Sequence, residues 1–320
     1  MTQIFQRIVV GVDGSSAAGN ATALAVRLAQ THQSEVLFAN AVDYAAARES
    51  SAAVIEALTA DGHRILENAK SRAVEACVAA RAQLLEGRPE YALTRFAGEV
   101  NADAIVVGSK GPGVAERFFV GSTAEGILRL TMLPVFIARE QQPAIATTFT
   151  RIVVAIDNSD PSDAAIELAT KLAVIHGSRL AFCHVVDENT LYEEAANYGG
   201  ATYPVLHEWL DEATILSRTA AEQAEGTGIR SVETAVLTGN PAAEILKFAA
   251  AQGSDLIVVG AHGRRGLRHL LLGSVTNTLV RRSTTSVLVV RTHVAAATER
   301  LNPHVDWHGY VTLRTEDEQN

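Results

Sequence analysis

"RIVVGVDGSS" at residues 7–16 returns as "RIVVAIDNSD" at residues 151–160. Each stretch is an apolar run with no polar alternation, which is how a strand covered on both faces reads. Each run ends at an aspartate among small polar residues and leads into an alanine-rich segment. The correspondence continues along the chain. "EVLFANAVD", ending at Asp43, matches "RLAFCHVVD", ending at Asp187, and Asp13 and Asp157 keep the same separation of 144 residues. "GRPEYALTRFA" from Gly87 matches "GNPAAEILKFA" from Gly239 at a separation of 152, and "ADAIVVGSKG" and "SDLIVVGAHG" hold that second spacing. One unit is therefore written twice, with about eight extra residues between Asp187 and Gly239 in the second copy.

Within each unit short apolar runs alternate with longer amphipathic ones. Strands are expected near 7–13, 35–42, 79–86, 103–108 and 134–138, and again near 151–157, 179–186, 229–237, 255–260 and 286–291. Helices are expected between them, in the first copy near 17–31, 53–75, 90–100 and 123–130. Alternating β and α elements imply a parallel sheet with helices on both faces. The expected fold class is α/β, two tandem doubly wound five-stranded sheets, mainly parallel. The expected domains are 1–140 and 150–294, joined by "EQQPAIATTF" at 140–149, with 295–320 as a C-terminal tail.

Bulk properties narrow the function. The 320 residues exceed what one core usually serves, and 48% hydrophobic against 20% charged residues describes a globular chain. Lys and Arg number 27 against 36 Asp and Glu, a formal charge of −9. That excess disfavours binding to nucleic acid or to an anionic membrane, so a phosphate site must be built locally. No apolar run reaches the roughly 18 residues that span a bilayer, and the start of the chain carries no signal-peptide pattern. Cys77 and Cys183 lie far apart with no CxxC, so burial as small hydrophobes in a reducing cytoplasm is the expectation.

Chemistry concentrates after the fourth strand of each copy. "VVGSKGPGVAERFFVGS" at 106–122 and "VVGAHGRRGLRHLLLGS" at 258–274 share one spacing, G-x2-G-x9-G-S, through Gly108, Gly111, Gly121, Ser122 and through Gly260, Gly263, Gly273, Ser274. Glycine lets backbone N–H groups approach an anion, and a serine before a helix is expected to cap it where the helix attracts phosphate. In an open parallel sheet ligands gather beyond the carboxyl ends of the strands, where Asp13, Asp157, Gly108 and Gly260 all fall. Asp13 and Asp157 also read as helix caps at a βα turn. The filling of the loops differs. The second carries Arg264, Arg265, Arg268 and His269, where the first has Pro112, Gly113, Glu116 and Arg117. Positive charge favours a triphosphate, so the second site is expected to be the tighter one.

Through these loops the chain resembles the universal stress protein family, in its tandem form with two domains in one polypeptide. The resemblance covers roughly residues 5–139 and 150–292. The family's ATP-binding branch is marked by G-x2-G-x9-G-[ST], which both copies match. The resemblance implies an adenine nucleotide alpha hydrolase-like fold and an ATP-binding stress-response regulator. Asp13 and Asp157 would lie near adenosine or ribose, and Ala41 and Val185 would offer main chain to adenine. The glycines and serines, with Arg264 and Arg265, would hold ribose and phosphates, with Mg²⁺ an optional companion. It also implies that "PVFIA" and "SVLVV" pair as a pseudo-dimer within the chain; a further homodimer is not fixed by the sequence.

Other readings stay open. No G-x4-G-K-[ST], no G-x-G-x-x-G after a first strand and no G-x-S-x-G is present, so a binding module is favoured over a turnover enzyme, with slow ATP hydrolysis as an alternative. A sensor or scaffold for a metal or apolar molecule is the other class. "HVDWH" places His304, Asp306 and His308 together, and Tyr192, Tyr198 and Tyr203 of the second-copy insertion could form a lid.

Overall fold

The computed structural model describes residues 3–44, 51–109, 121–139, 149–190, 202–229, 231–263 and 272–291. The HVDWH tail, residues 140–148 of the linker and the three tyrosines of the 188–203 insertion fall outside these residues or outside the described side chains. The first repeat runs β1 (Arg7–Gly11), α1 (Ser16–His32), β2 (Glu35–Val42), α2 (Ala52–Glu75), β3 (Ala80–Glu86), α3 (Pro89–Glu99), β4 (Ala104–Gly108), α4 (Ser122–Leu130) and β5 (Val135–Ala138). The second runs β6 (Arg151–Ala155), α5 (Asp160–His176), β7 (Arg179–Asp187), α6 (Thr202–Glu225), β8 (Val232–Gly239), α7 (Pro241–Ala251), β9 (Leu256–Gly260), α8 (Ser274–Arg282) and β10 (Ser286–Val290).

The two sheets join into one of ten strands, ordered β3-β2-β1-β4-β5-β10-β9-β6-β7-β8. All pairing within a repeat is parallel. β5 and β10 meet antiparallel, Phe136 opposite Leu288 and Ile137 opposite Val287, as the paired last strands were expected to. The unbroken apolar runs are explained by this layering. Ile8 and Val10 face the layer of α1, α2, α5 and α6, while Val9 faces α3, α4, α7 and α8. Both cores run through both repeats. The fastening below the sheet is also repeated: Asp103 accepts from the backbone N–H groups of Gln6 and Arg7, and Asp255 from those of Thr150 and Arg151.

Two cysteine expectations separate. Cys183 on β7 is buried, and that burial pushes its thiol up to about 12. Cys77 is exposed, contrary to the expectation. It follows the last turn of α2 in the left-handed region (φ 57°), which turns its side chain to solvent while Val78 enters the core. Among the described residues no helix is long and apolar enough to cross a membrane, and no cluster of three or more His, Cys, Asp or Glu could hold a metal.

The seam between repeats is built from equivalent residues. Arg139 follows β5 and donates to the carbonyls of Val280 and Arg281 at the end of α8. Arg291 follows β10 and donates to the carbonyl of Leu128 near the end of α4, at 2.6 Å. Each guanidinium thus sits at the negative end of the other repeat's helix. On the other face of the sheet, His32 and His176, the last residues of α1 and α5, bring their Nε2 atoms to 3.2 Å among Phe5, Phe136 and Phe149. Burial holds both imidazoles down near 4, and the second is lowered further by the first.

The sign of the resulting pH dependence is fixed. An unfolded chain takes up these protons from about pH 6.5, the folded chain only near 4. Stability is therefore fully present above about pH 6.5 and declines as pH falls toward 4. Urea unfolding at pH 7.5, 6 and 5 should show a steady loss for the native chain. A His32→Phe/His176→Phe variant should lose less over that range. Parallel losses in the two proteins would show that the pair is not the acid-sensitive element.

Candidate functional site

Each repeat has one place where crossovers diverge: between β1 and β4 in the first, between β6 and β9 in the second. Chains leaving these neighbouring strand ends pass to opposite sides, which opens a crevice. Asp13 and Asp157 lie at the β1 and β6 corners, but neither caps the helix that follows. The caps are Ser15, whose Oγ accepts from the N–H of Ala18 at 3.1 Å, and Ser159, which accepts from Ser162 at 3.4 Å. The aspartates stand two residues earlier and brace the turn. Asp13 Oδ1 accepts from the N–H of Ser15, and Asp157 Oδ1 accepts the Ser159 hydroxyl at 2.6 Å. Asp13 is exposed and Asp157 half-buried.

The glycines divide into two kinds. A Cβ on Gly108 would lie 2.5 Å from the carbonyl carbon of Ala17, and one on Gly260 2.9 Å from that of Pro161. These two glycines make room for the first turns of α1 and α5, so they serve helix-on-strand packing as well as lying at the crevice. Gly263 is different. Its Cβ would collide with Asp157 Oδ2, so the loop after β9 folds back onto the carboxylate of the β6 corner. Gly273 closes the same group, its Cβ position 3.1 Å from the Cα of His262 and its N–H bonded to the carbonyl of Ala261 at 2.8 Å. The structure thereby brings Asp157, Gly260, Gly263, Gly273 and Ser274 together. In the first repeat Gly121 makes the equivalent bond to the carbonyl of Ser109, at 3.0 Å. Gly111, Arg264, Arg265, Arg268 and His269 lie outside the described residues.

Ser122 and Ser274 are not caps either. They are the first helical residues, and Gly121 and Gly273 occupy the cap positions with no side-chain bond to the helix. This matters chemically. Ser15, Ser159 and Asn240 fill the caps of α1, α5 and α7 with an oxygen that accepts from the first turn. At α4 and α8 the cap has no side chain to do so, and the helix starts keep their positive potential for another acceptor.

Ala41 and Val185 stand near the ends of β2 and β7. The carbonyls of Ala39 and Cys183 accept from Val12 and Ile156, where β1 and β6 run out. Strand alternation places the main chain of Ala41 and Val185 in the same row, one step beyond those bonds, facing the crevice. Two further features were not singled out from the sequence. Asp160 and Asp163 follow Asp157 on α5, where the first repeat has Ser16 and Gly19, and burial together with Asp160 and Asp157 raises the Asp163 carboxyl. Thr276 donates its hydroxyl to the carbonyl of Gly260 at 2.7 Å, a tie that Ala124 cannot make in the first repeat. Comparing the two copies position by position would have marked both.

Residues 4–139 and 148–291 each match the sequence profile of the universal stress protein family. A universal stress protein of Mycobacterium tuberculosis (strain CDC 1551) is 28% identical over 312 residues, covering 89% of this chain and 94% of that protein. A Bacillus subtilis universal stress protein is 35% identical over 150 residues, 99% of its own length and 45% of this chain. Among solved structures, a universal stress protein from Archaeoglobus fulgidus superposes with a TM-score of 0.68 at 20% identity, over 89% of this chain and 98% of its own.

The two kinds of glycine are separable by stability. Gly260→Ala and Gly108→Ala force a methyl against helix backbone and should each cost about 1–3 kcal/mol, as overpacked sites do. Gly98, inside α3 with nothing within 4 Å of its Cβ position, should tolerate alanine with a gain of about 0.5–1 kcal/mol. Urea denaturation of the three variants checks this, and a neutral Gly260→Ala would remove the packing role.

Proposed function

This chain belongs to the universal stress protein family, and within it we propose an adenine-nucleotide-binding regulatory protein with one ATP site in each repeat. One observation carries the reading most. At the second crevice a glycine loop rests on the Asp157 carboxylate and runs into a helix whose cap is glycine. A hydroxylated, polyanionic ligand fits that combination. Asp157, and Asp13 in the first repeat, accept from ribose hydroxyls. The N–H groups at the starts of α8 and α4 receive phosphate oxygens, and the main chain of Val185 and Ala41 meets the adenine edge.

The two sites differ in what balances the phosphates. The second has Arg264 and Arg265 in its loop, but it also has Asp160 and Asp163 beside Asp157. Carboxylate oxygens are the donors that Mg²⁺ takes, so Asp157 is the residue to hold that ion if it accompanies the phosphates. The ion supplies positive charge at the phosphate oxygens. The first corner offers Asp13 with Ser16 and Gly19 around it, a less acidic setting. The second site is accordingly the tighter one when Mg²⁺ is present, and the one more weakened by its removal.

Calorimetry with ATP, ADP and AMP tests this. The native chain should bind two equivalents of ATP, and Gly263→Val and Gly111→Val should each remove one. In the second site the added side chain displaces the Asp157 carboxylate as well as blocking the ligand path. Replacing Arg264 and Arg265 together by alanine should weaken ATP at least tenfold and AMP less, each charge-assisted hydrogen bond being worth about 1.5–3 kcal/mol. Release of no adenine nucleotide from denatured protein, together with no ATP binding, would overturn the reading.

A further inference from the structure

α4 and α8 are equivalent helices, and each begins at a glycine cap facing its own crevice. Their first turns differ at one charged position: α4 carries Glu125 where α8 carries Asn277. A carboxylate in the first turn occupies the positive end of the helix and repels any anion that approaches it. Glu125 lies about one turn, roughly 6 Å along the axis, from the Gly121 cap. By itself it would oppose the phosphate site that its own helix builds.

The second repeat answers that charge. Arg281 of α8 places Nη2 2.5 Å from Glu125 Oε1, across the seam. Its Nε donates to Asn277 Oδ1 on its own helix at 3.1 Å, and its carbonyl accepts from Arg139. The guanidinium is thus fixed at three points: by its own helix, by the opposite carboxylate, and through its backbone by the first repeat. The arrangement is one-directional. Arg129 of α4 occupies the position equivalent to Arg281, but it is exposed, and Asn277 opposite carries no charge to neutralise.

We propose that Arg281 is a positioning residue for the first nucleotide site, supplied by the second repeat, which neutralises Glu125 and so lets the start of α4 accept phosphate. The inference rests on the nucleotide reading above and adds to it that the first site is incomplete without the second repeat, while the second site is complete by itself.

The test isolates the first site in the full chain with Gly263→Val and measures ATP affinity by calorimetry, with thermal unfolding recorded for every variant. Adding Arg281→Met should weaken ATP about five- to twentyfold, and adding Glu125→Gln to that pair should restore most of the loss. Arg129→Ala should change nothing. Rescue of ATP affinity by Glu125→Gln while the thermal midpoint stays unmoved across the variants is the deciding outcome, because a merely structural ion pair would shift stability in step with affinity. An unchanged affinity in Arg281→Met, or a loss that Glu125→Gln does not recover, overturns the proposal. If the Gly263→Val parent binds no ATP while the native chain binds one equivalent, the first site is not a nucleotide site, and the role given to Arg281 falls with it. If the native chain binds none, the broader functional reading has failed instead. A second isolation, reading the two binding phases of the chain with Gly263 intact, covers the case in which Gly263→Val folds poorly: Arg281→Met must then lower one phase and leave the other.

Discussion

Each five-stranded sheet ends in a strand, β5 or β10, that has no further neighbour in its own repeat. Its backbone donors and acceptors on that side must be paired, and Val135–Ala138 and Ser286–Val290 are too apolar to face water. Antiparallel pairing of the two strands resolves both needs at once and removes two edges that would otherwise invite aggregation. The continuity of both cores through both repeats follows from that pairing. So does the position of α4 against α8, since each packs beside the strand that follows it.

The seam then has to accommodate charge. Burial lowers the Arg139 and Arg291 guanidinium groups from their ordinary value, which is the signature of a cation held where water is scarce. Helix ends make this tolerable, because the last carbonyls of a helix lack intrahelical partners and carry a partial negative charge. The reciprocal use of α8 by Arg139 and α4 by Arg291 applies one device to both sides. His32 and His176 meet a separate crowding on the opposite face of the sheet. Two imidazoles can share one proton between facing nitrogens while both stay neutral, and the surrounding phenylalanines leave them nothing else to pair with on that side.

The doubling of the unit was legible because periodic apolar runs and matched spacings survive even where side chains diverge. The ten strands fall within a few residues of expectation for that reason, and the pairing of the last strands is what the family resemblance implied. The site was legible in outline only. Gly108, Gly260 and Gly263 look alike in a motif, yet the first two answer to helix backbone and the third to a carboxylate 106 residues earlier in the chain. Spacing along the chain cannot distinguish these, because the difference lies in what tertiary packing places over each Cα. The cap residues were misread for a related reason. Ser122, Ser274, Asp13 and Asp157 have the right chemistry for a cap, but the backbone enters each helix one residue before the serines and two residues after the aspartates. Cys77 shows the same limit: a positive φ at a helix end overrides an apolar neighbourhood.

Duplication within one polypeptide changes what such a seam can do. In a symmetric dimer of identical units, a glutamate in one helix would appear in both, and each would need the other's arginine. Covalent linkage lifts that constraint. The position held by Glu125 in α4 could become Asn277 in α8, the corner at Ser16 and Gly19 could become Asp160 and Asp163, and Ala124 could become Thr276. None of these changes touches β5 or β10, so the pairing that joins the repeats is preserved while the crevices drift apart in charge. The contact from Arg281 to Glu125 is the point where the two histories still meet. It lies on helices whose far ends are fixed by the seam and whose near ends open on the crevices. The start of α4 at the first crevice therefore depends on a charge supplied by the second repeat, with no movement of the sheet required.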